Sequence, residues 1–395
     1  MKITSADVFE YRISYAHGIY TMSHGRAAAG HPSAVVRVGT DEGIVGWGEV
    51  CPNGRTYSAS FFEGERAALG ILAEAIMGLD PRNLSVVNRA MDRAMAGAPG
   101  AKTALDVACW DVFGKSVGLP IAELLGGTLQ ENIPLALSVP IGSAAAAAAY
   151  VARHRDLGVT NFQIKVGDFW AADVERVLAA IEAAGPGVSV VVDANGGWSL
   201  QSALLAVKRL EDLPIHLERP CRTLADCAEL RRHTSLPMIL DENVCTLADL
   251  AQAKNLGIGG VNIKPQRVGG LTAARLLRDA AQALDMNVEC DDTWGGTLVT
   301  AQVAQLAAST DPRNFLVAAF FSDWTEPAVS TAPAISSGGG MGHALPGPGL
   351  GVEVDVAALG QPVLTVTADS SHRSAAAAPD HVDDRSEHAG EVAVR

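Results

Sequence analysis

Residues 2–14 alternate between apolar and polar positions, and two further runs, Ala34 to Val38 and Ile44 to Glu49, flank the turn Asp41-Glu42-Gly43. Period-two alternation bounded by turn residues predicts a small antiparallel meander. From about Glu63 to Gly127 the apolar positions take helical spacing, with breaks at Pro81 and around Gly97 to Gly100. Strands followed by a block of helices predict a separate α+β unit.

From Ile133 the pattern changes. Short β-rich runs stand at Leu135–Val139, Asn161–Lys165, Ser189–Asp193, Pro214–Glu218, Pro237–Asp241, Gly260–Lys264, Met286–Cys290 and Leu316–Phe320. Between most of them lie Ala- and Leu-rich amphipathic stretches such as Ala171–Ala184 and Leu271–Leu284. Eight such runs, at about 25 residues per unit, predict an α/β fold with a parallel barrel of the TIM type. A doubly wound open sheet also explains the alternation, but gives no reason for polar residues to end so many strands. The run Ala144 to Ala149 reads as a helix start, residues 337–351 as a Gly- and Pro-rich loop, and Val363 to Val366 as a last strand returning to the first unit. Beyond it the chain mixes Ala with charges and holds no aromatic residue, as a disordered tail would. The expected division is an α+β unit over 1–130, a barrel over 131–345, a returning segment over 346–367 and a tail over 368–395.

Composition narrows the partners. With 48% hydrophobic and 19% charged residues, the 395-residue chain can bury a large core. A net charge of −14 argues against nucleic acid, which needs clustered Lys and Arg. It leaves room for an anionic substrate, because a bound divalent cation reverses the local field. No apolar run reaches the roughly 20 residues of a membrane helix, so no membrane partner is expected. The N-terminus lacks the apolar core of a signal peptide. Cys51, Cys109, Cys221, Cys227, Cys245 and Cys290 form no CxxC pair, so reduced, buried thiols in a cytoplasmic protein are expected.

The chemistry stands at the strand ends. Strand two ends in Lys165, strand three in Asp193, strand four in Glu218, strand five in Asp241 and strand six in Lys264. A TIM-type barrel builds its active site from the C-terminal ends of several strands. Taken singly, a strand-end Lys is more often an ion-paired residue, and an Asp before a helix is often an N-cap. Five consecutive strands each delivering one ionisable group is hard to obtain from capping. Three neighbouring carboxylates repel one another, and a hard cation such as Mg2+ relieves that repulsion while leaving coordination positions for a substrate carboxylate. The two lysines flank the carboxylates in chain order, which would bring them to a central substrate from opposite faces. Such a set suits removal of a proton next to a carboxylate: the metal stabilises the enediolate, and an amine of lowered pKa takes the proton. A lysine on each face would invert the centre; a leaving group on the next carbon would turn the same start into elimination.

These residues resemble the enolase superfamily, whose Lys or His base with magnesium is a known pattern. The motifs are Gln163-Ile164-Lys165, Val192-Asp193-Ala194-Asn195, Leu217-Glu218-Arg219-Pro220, Leu240-Asp241-Glu242-Asn243 and Ile263-Lys264-Pro265-Gln266-Arg267-Val268-Gly269-Gly270. Gly46-Trp47-Gly48-Glu49 and Ala104 to Asp111 look like the family's capping domain. The resemblance spans roughly residues 2–366 and implies a modified (β/α)7β barrel closed by an N-terminal α+β capping domain. It implies Mg2+ on Asp193, Glu218 and Asp241, with Asn195 and Glu242 as support behind the ligands, and frequent homo-oligomers. A lysine on both strand two and strand six resembles the muconate lactonizing subgroup. The mandelate racemase subgroup fits less well, since strand seven offers Cys290-Asp291-Asp292 and no His. The usual KxK motif has Gln163 in place of its first lysine.

Cys51 to Tyr57 resembles enzymes acting on proline derivatives, the hydroxyproline betaine epimerases and cis-3-hydroxyproline dehydratases, and Cys290 to Gly296 looks closer to the epimerases. A quaternary ammonium is recognised by aromatic faces and carboxylates. Tyr57, Trp294 and Trp324 are expected to line one pocket with Gln163, and Asp292 to supply negative charge; Tyr57 and Trp324 are equally readable as packing residues. The expected activity is racemisation or epimerisation of a proline-like or N-methylated amino acid, with dehydration of 3-hydroxyproline as the alternative. An inactive barrel and a Schiff-base aldolase are the readings from other classes; the intact five-residue set argues against the first and the three carboxylates against the second.

Overall fold

A computed structural model describes residues 1–16, 18–335 and 340–368. The expected tail, beyond Ala368, lies outside the described residues, as do residues 337–339 of the expected loop.

The N-terminal meander forms as the alternation predicts. Ile3–Tyr15 pairs antiparallel with Gly30–Thr40, which pairs with Val45–Val50. Leu364–Thr367 adds to the same sheet on Ile3–Tyr15, in the register Ser5 opposite Thr367. The helices Phe62–Ile76 and Pro99–Val117 pack on the sheet, and Leu84–Ala94 packs on those two helices. Pro99–Val117 is buried on every face because it lies between the meander and the barrel. The motif glycines follow from that packing. A Cβ on Gly48 would stand 2.0 Å from the Ala104 carbonyl oxygen, and one on Gly270 would stand 2.3 Å from Asp106 Oδ2. Asp106, at the start of the helix Leu271–Ala283, accepts bonds from the Thr272 backbone N–H at 3.0 Å and its hydroxyl at 2.6 Å.

The second unit is a (β/α)7β barrel. Its eight parallel strands are Leu137–Val139, Asn161–Lys165, Ser189–Asp193, Ile215–Glu218, Met238–Leu240, Gly260–Ile263, Asn287–Cys290 and Phe315–Ala318. Each pairs with the next, and a bridge between Leu135 and Ala318 closes the ring. Helices Ala144–Asp156, Trp170–Ala184, Leu200–Leu210, Leu224–Arg231, Leu247–Asn255, Leu271–Ala283 and Thr297–Ala308 follow the first seven strands. Strand eight leads instead to a short 3-10 turn, Phe321–Asp323. The Ala144 run does start a helix, capped by the Ser143 hydroxyl accepting from the Ala146 N–H at 3.1 Å. Several strand boundaries differ from the sequence reading by one or two residues, and two of them bear on the site: Asp241 and Lys264 stand one residue past their strands, where the chain already turns. The loop expected over 337–351 contains a short strand, Met341–His343, which pairs with Ile133–Pro134.

Candidate active site

Strand register brings the ionisable residues together. Lys165 lies opposite Asp193, and Asp193 opposite Glu218, on strands two, three and four. Asp241 follows strand five. Strands six and seven pair Ile263 with Cys290, so Lys264 stands beside Asp291. Gln163, two residues before Lys165, also points inward: its amide donates to Glu218 Oε2 at 2.6 Å and accepts from the Ser138 hydroxyl at 2.9 Å.

The charges are buried and paired. Lys165 Nζ lies 2.5 Å from Asp193 Oδ2. Lys264 Nζ lies 3.0 Å from Asp241 Oδ2, 3.1 Å from Asp291 Oδ2 and 2.9 Å from the Tyr57 hydroxyl. Asp241 also pairs with Arg267, whose guanidinium donates to the Asn262 carbonyl at 2.5 Å. Asn262 in turn donates to Glu218 Oε1 at 2.9 Å. Arg219 pairs with Glu242 at 2.7 Å. The Asn195 N–H donates to Asp193 Oδ1 at 2.7 Å. Asn195 and Arg219, each one or two residues past a strand-end acid, carry φ of 44° and 35°, a left-handed strain localised at this rim.

Electrostatics follow from burial and neighbours. Burial and then Asp193, Glu289 and Asp241 push Glu218 well above the usual carboxylate range. Burial, Asp291, Asp241 and Asp193 raise Glu289 to about 8. Burial alone would lower both lysines. For Lys165 it is outweighed by Asp193, Tyr20 and Glu218, and for Lys264 by Asp241, Asp291, Tyr57 and Glu242, so both are raised. The lowered amine expected from the sequence is therefore not seen here, because the carboxylates hold both ammonium groups. Among the described residues no group of three His, Cys, Asp or Glu side chains is close enough to enclose a metal ion. The donor set fits a hard cation all the same: all three carboxylates are fully buried, and their like charge raises Glu218, the conflict that a divalent ion relieves. In this arrangement Lys165, Lys264 and Arg267 supply the countercharge.

Both lysines line one cavity of about 30 Å³, shared with Tyr57, Gln163, Asn195, Asp291, Asp292, Trp294 and Trp324. Trp294 packs between Tyr20 at 5.4 Å and Trp324 at 5.5 Å, with Tyr15 and Phe321 behind. The expected aromatic wall is present, and Tyr20 from the N-terminal unit belongs to it. Asp292 is placed differently from the sequence reading. Its Oδ1 accepts from the Gln266 and Thr293 N–H groups at 3.1 and 2.8 Å, and its Oδ2 from the Gln302 amide at 2.5 Å. Its carboxylate ties the loop together, and the one that meets Lys264 belongs to Asp291. Burial is the main cause that raises Asp292 to about 7. Sequence reasoning missed Ser138, Asn262, Arg267, Glu289 and Asp291. A usable signal was the period of two: Gln163, Asn262 and Glu289 are polar at positions where a barrel strand should face an apolar core.

All six cysteines are free; five are buried as expected, and Cys245 is exposed. Among the described residues no helix is long and apolar enough to cross a membrane.

Comparison with known proteins gives the class that this fold and rim define. Residues 17–126 match the mandelate racemase/muconate lactonizing enzyme N-terminal domain, and residues 144–358 match the enolase C-terminal domain-like family. The chain belongs to the enolase superfamily, in its mandelate racemase/muconate lactonizing enzyme branch. It is 37% identical to a cis-3-hydroxy-L-proline dehydratase of Roseibium aggregatum, over 92% of this chain and 99% of that one. It is 31% identical to an N-succinyl-L-Arg/Lys racemase of Bacillus cereus, over 78% and 83% of the two chains. Its fold matches a crystal structure of an enolase superfamily member of Roseovarius nubinhibens complexed with magnesium, with a TM-score of 0.87, 32% identity, and coverage of 93% and 99%.

Proposed function

We propose that this chain is a magnesium-dependent enzyme that removes the α-proton of a proline-like or N-methylated amino acid and returns it to the opposite face, with Lys165 and Lys264 as the two acid–bases. The observation that carries the proposal is the single cavity lined by both lysines, one from strand two and one from strand six, with an aromatic wall beside them. Asp193, Glu218 and Asp241 would hold Mg2+, which when bound supplies positive charge against the charge that builds on the substrate carboxylate. The lysine that acts as base must first give up its own proton; as the neutral amine it takes the proton from Cα while the other, as the ammonium, delivers one from the far side. Trp294, Trp324 and Tyr57 keep water out and offer π faces to a cationic ring nitrogen. Gln163 holds Glu218 without adding a positive charge of its own.

The cavity is too small for a proline ring. Tyr57 and Asn195 also line an outer cleft of about 410 Å³, so entry requires the loop carrying Tyr57 to move. A homo-oligomer in the cytoplasm completes this reading, and sedimentation checks the assembly.

A second reading, dehydration of cis-3-hydroxy-L-proline, is favoured by the 37% identity to a dehydratase along 99% of its length. In that substrate the α-hydrogen and the 3-hydroxyl lie on opposite ring faces. One lysine would take the C2 proton and the other would protonate the leaving hydroxyl. The C2–H and C3–O bonds break, C2=C3 forms, water leaves, and the enamine tautomerises to a ketimine.

One experiment tests both. The protein is incubated with MgCl2 in heavy water with L- and D-proline betaine, L- and D-proline and cis-3-hydroxy-L-proline, and followed by NMR. Inversion with deuterium at Cα and no loss of mass supports epimerisation. Loss of water with a ketimine product supports dehydration. Absence of exchange, inversion and elimination with every substrate overturns both.

A further inference from the structure

Lys264 is gripped from three directions. Asp241 belongs to the proposed metal ligands, but Asp291 and Tyr57 do not. Asp291 is held at both oxygens: Oδ1 accepts the Asp292 N–H at 2.7 Å, and Oδ2 lies 3.1 Å from Lys264 Nζ. Its backbone is held as well, since the Asp291 N–H donates to the Ile263 carbonyl at 3.2 Å. The next residue, Asp292, anchors the loop to Gln266 and Gln302 through the bonds described above. Gln266 accepts the Cys51 N–H of the capping unit at 2.6 Å and donates to the Trp294 carbonyl at 2.8 Å. These bonds hold Asp291 toward the ammonium. Among the described residues Lys165 has no equivalent: its one ion-pair partner there is Asp193, itself a proposed ligand.

We infer that Asp291 is a positioning residue for Lys264, fixing that ammonium against one face of the substrate, and that Lys165 works without such a partner. This rests on the two-lysine reading above. The substrate face served by Lys264 then depends on Asp291, and the face served by Lys165 does not.

The test is α-proton exchange in heavy water with the two enantiomers of proline betaine, on magnesium-loaded full-length protein. Lys264→Ala identifies the enantiomer whose exchange needs Lys264. Asp291→Asn, which keeps the shape of the side chain and removes its charge, is expected to slow exchange of that enantiomer at least tenfold. Exchange of the other enantiomer should stay within about twofold, which also reports that the variant is folded; a tenfold selective loss corresponds to about 1.4 kcal/mol. A crystal structure of metal-free Asp291→Asn should show Lys264 Nζ withdrawn from strand seven. Equal loss at both faces, or no loss at either, overturns the role of Asp291 and leaves the two-lysine reading standing. Failure of the wild type to exchange either enantiomer overturns the substrate reading and, with it, this role.

Discussion

Lys165 and Lys264 face one cavity from opposite walls, and the walls are built differently. The Lys165 wall is local. Lysine and partner are cross-strand neighbours on strands two and three, so the register of two adjacent strands suffices to make the pair. The Lys264 wall is assembled from three places: strand five through Asp241, the loop after strand seven through Asp291, and the capping unit through Tyr57. The capping unit meets Lys264 through a direct hydrogen bond that the ammonium donates to Tyr57, whereas on the Lys165 side it contributes Tyr20 through electrostatics without a hydrogen bond to the lysine. The capping unit is tied to that same side again at Glu49, which is fully buried at the start of the helix Thr297–Ala308. Glu49 accepts bonds from the Tyr11 and Ser33 hydroxyls at 2.6 and 2.7 Å and from the Gly296 and Val299 N–H groups at 3.3 and 3.2 Å. Closure is therefore tied to Lys264 by a hydrogen bond and to Lys165 only through the nearby Tyr20.

The largest expected effect erases the comparison. Chelation with EDTA should abolish exchange on both faces, and added MgCl2 should restore it; exchange that persists in chelator removes the metal from the reading. Next, Lys165→Ala and Lys264→Ala should each lower inversion by roughly 10²–10⁴-fold. Each should still exchange the α-proton of one enantiomer, and opposite enantiomers for the two variants, as read by NMR. Full inversion in both variants would end the two-base idea. Smaller and one-sided, Tyr57→Phe should slow exchange on the Lys264 face by about tenfold, about 1.4 kcal/mol, and leave the Lys165 face nearly unchanged. An equal effect on both faces would show that Tyr57 serves only to exclude water.

The smallest effect lies behind the Lys264 wall. Asp292→Asn should cost under about 1 kcal/mol in chemical denaturation, because an amide can keep the acceptor for Gln266 and Thr293. Its NH2 can meet the Gln302 carbonyl oxygen, which is buried without a partner, once that side chain flips. The sign of the pH effect follows from Asp292 lying at about 7. Its folded value is above its unfolded one, so the native state binds the proton more tightly. The charged form then weakens the wild-type fold as pH rises from about 4 to about 7, and the effect levels off above that. Asp292→Asn should lack that slope; an unchanged slope would place the titration elsewhere.

Much of this was legible in the chain. Alternation marked the meander, and short β-rich runs between amphipathic helices marked the barrel, because burial on one face or on two imposes period 2 or a continuous apolar run. The ends of those runs marked Lys165, Asp193, Glu218, Asp241 and Lys264. The choice between Asp291 and Asp292 was not legible. Adjacent residues differ only in the direction they point, and that is decided by which of them finds Gln266 and Gln302. Tyr20 was missed for a similar reason, since its partner Trp294 lies 274 positions away.

The sequence by itself determined that this chain forms a barrel with a capping unit and carries five ionisable residues at its rim, since patterning and strand parity are local properties. Only the tertiary structure decided how the lysines are held, which aspartate meets Lys264, and that the capping unit hydrogen-bonds Lys264 through Tyr57 while it sets Tyr20 near Lys165. Ion pairs and aromatic contacts between distant segments are settled by packing, and no periodicity along the chain encodes them.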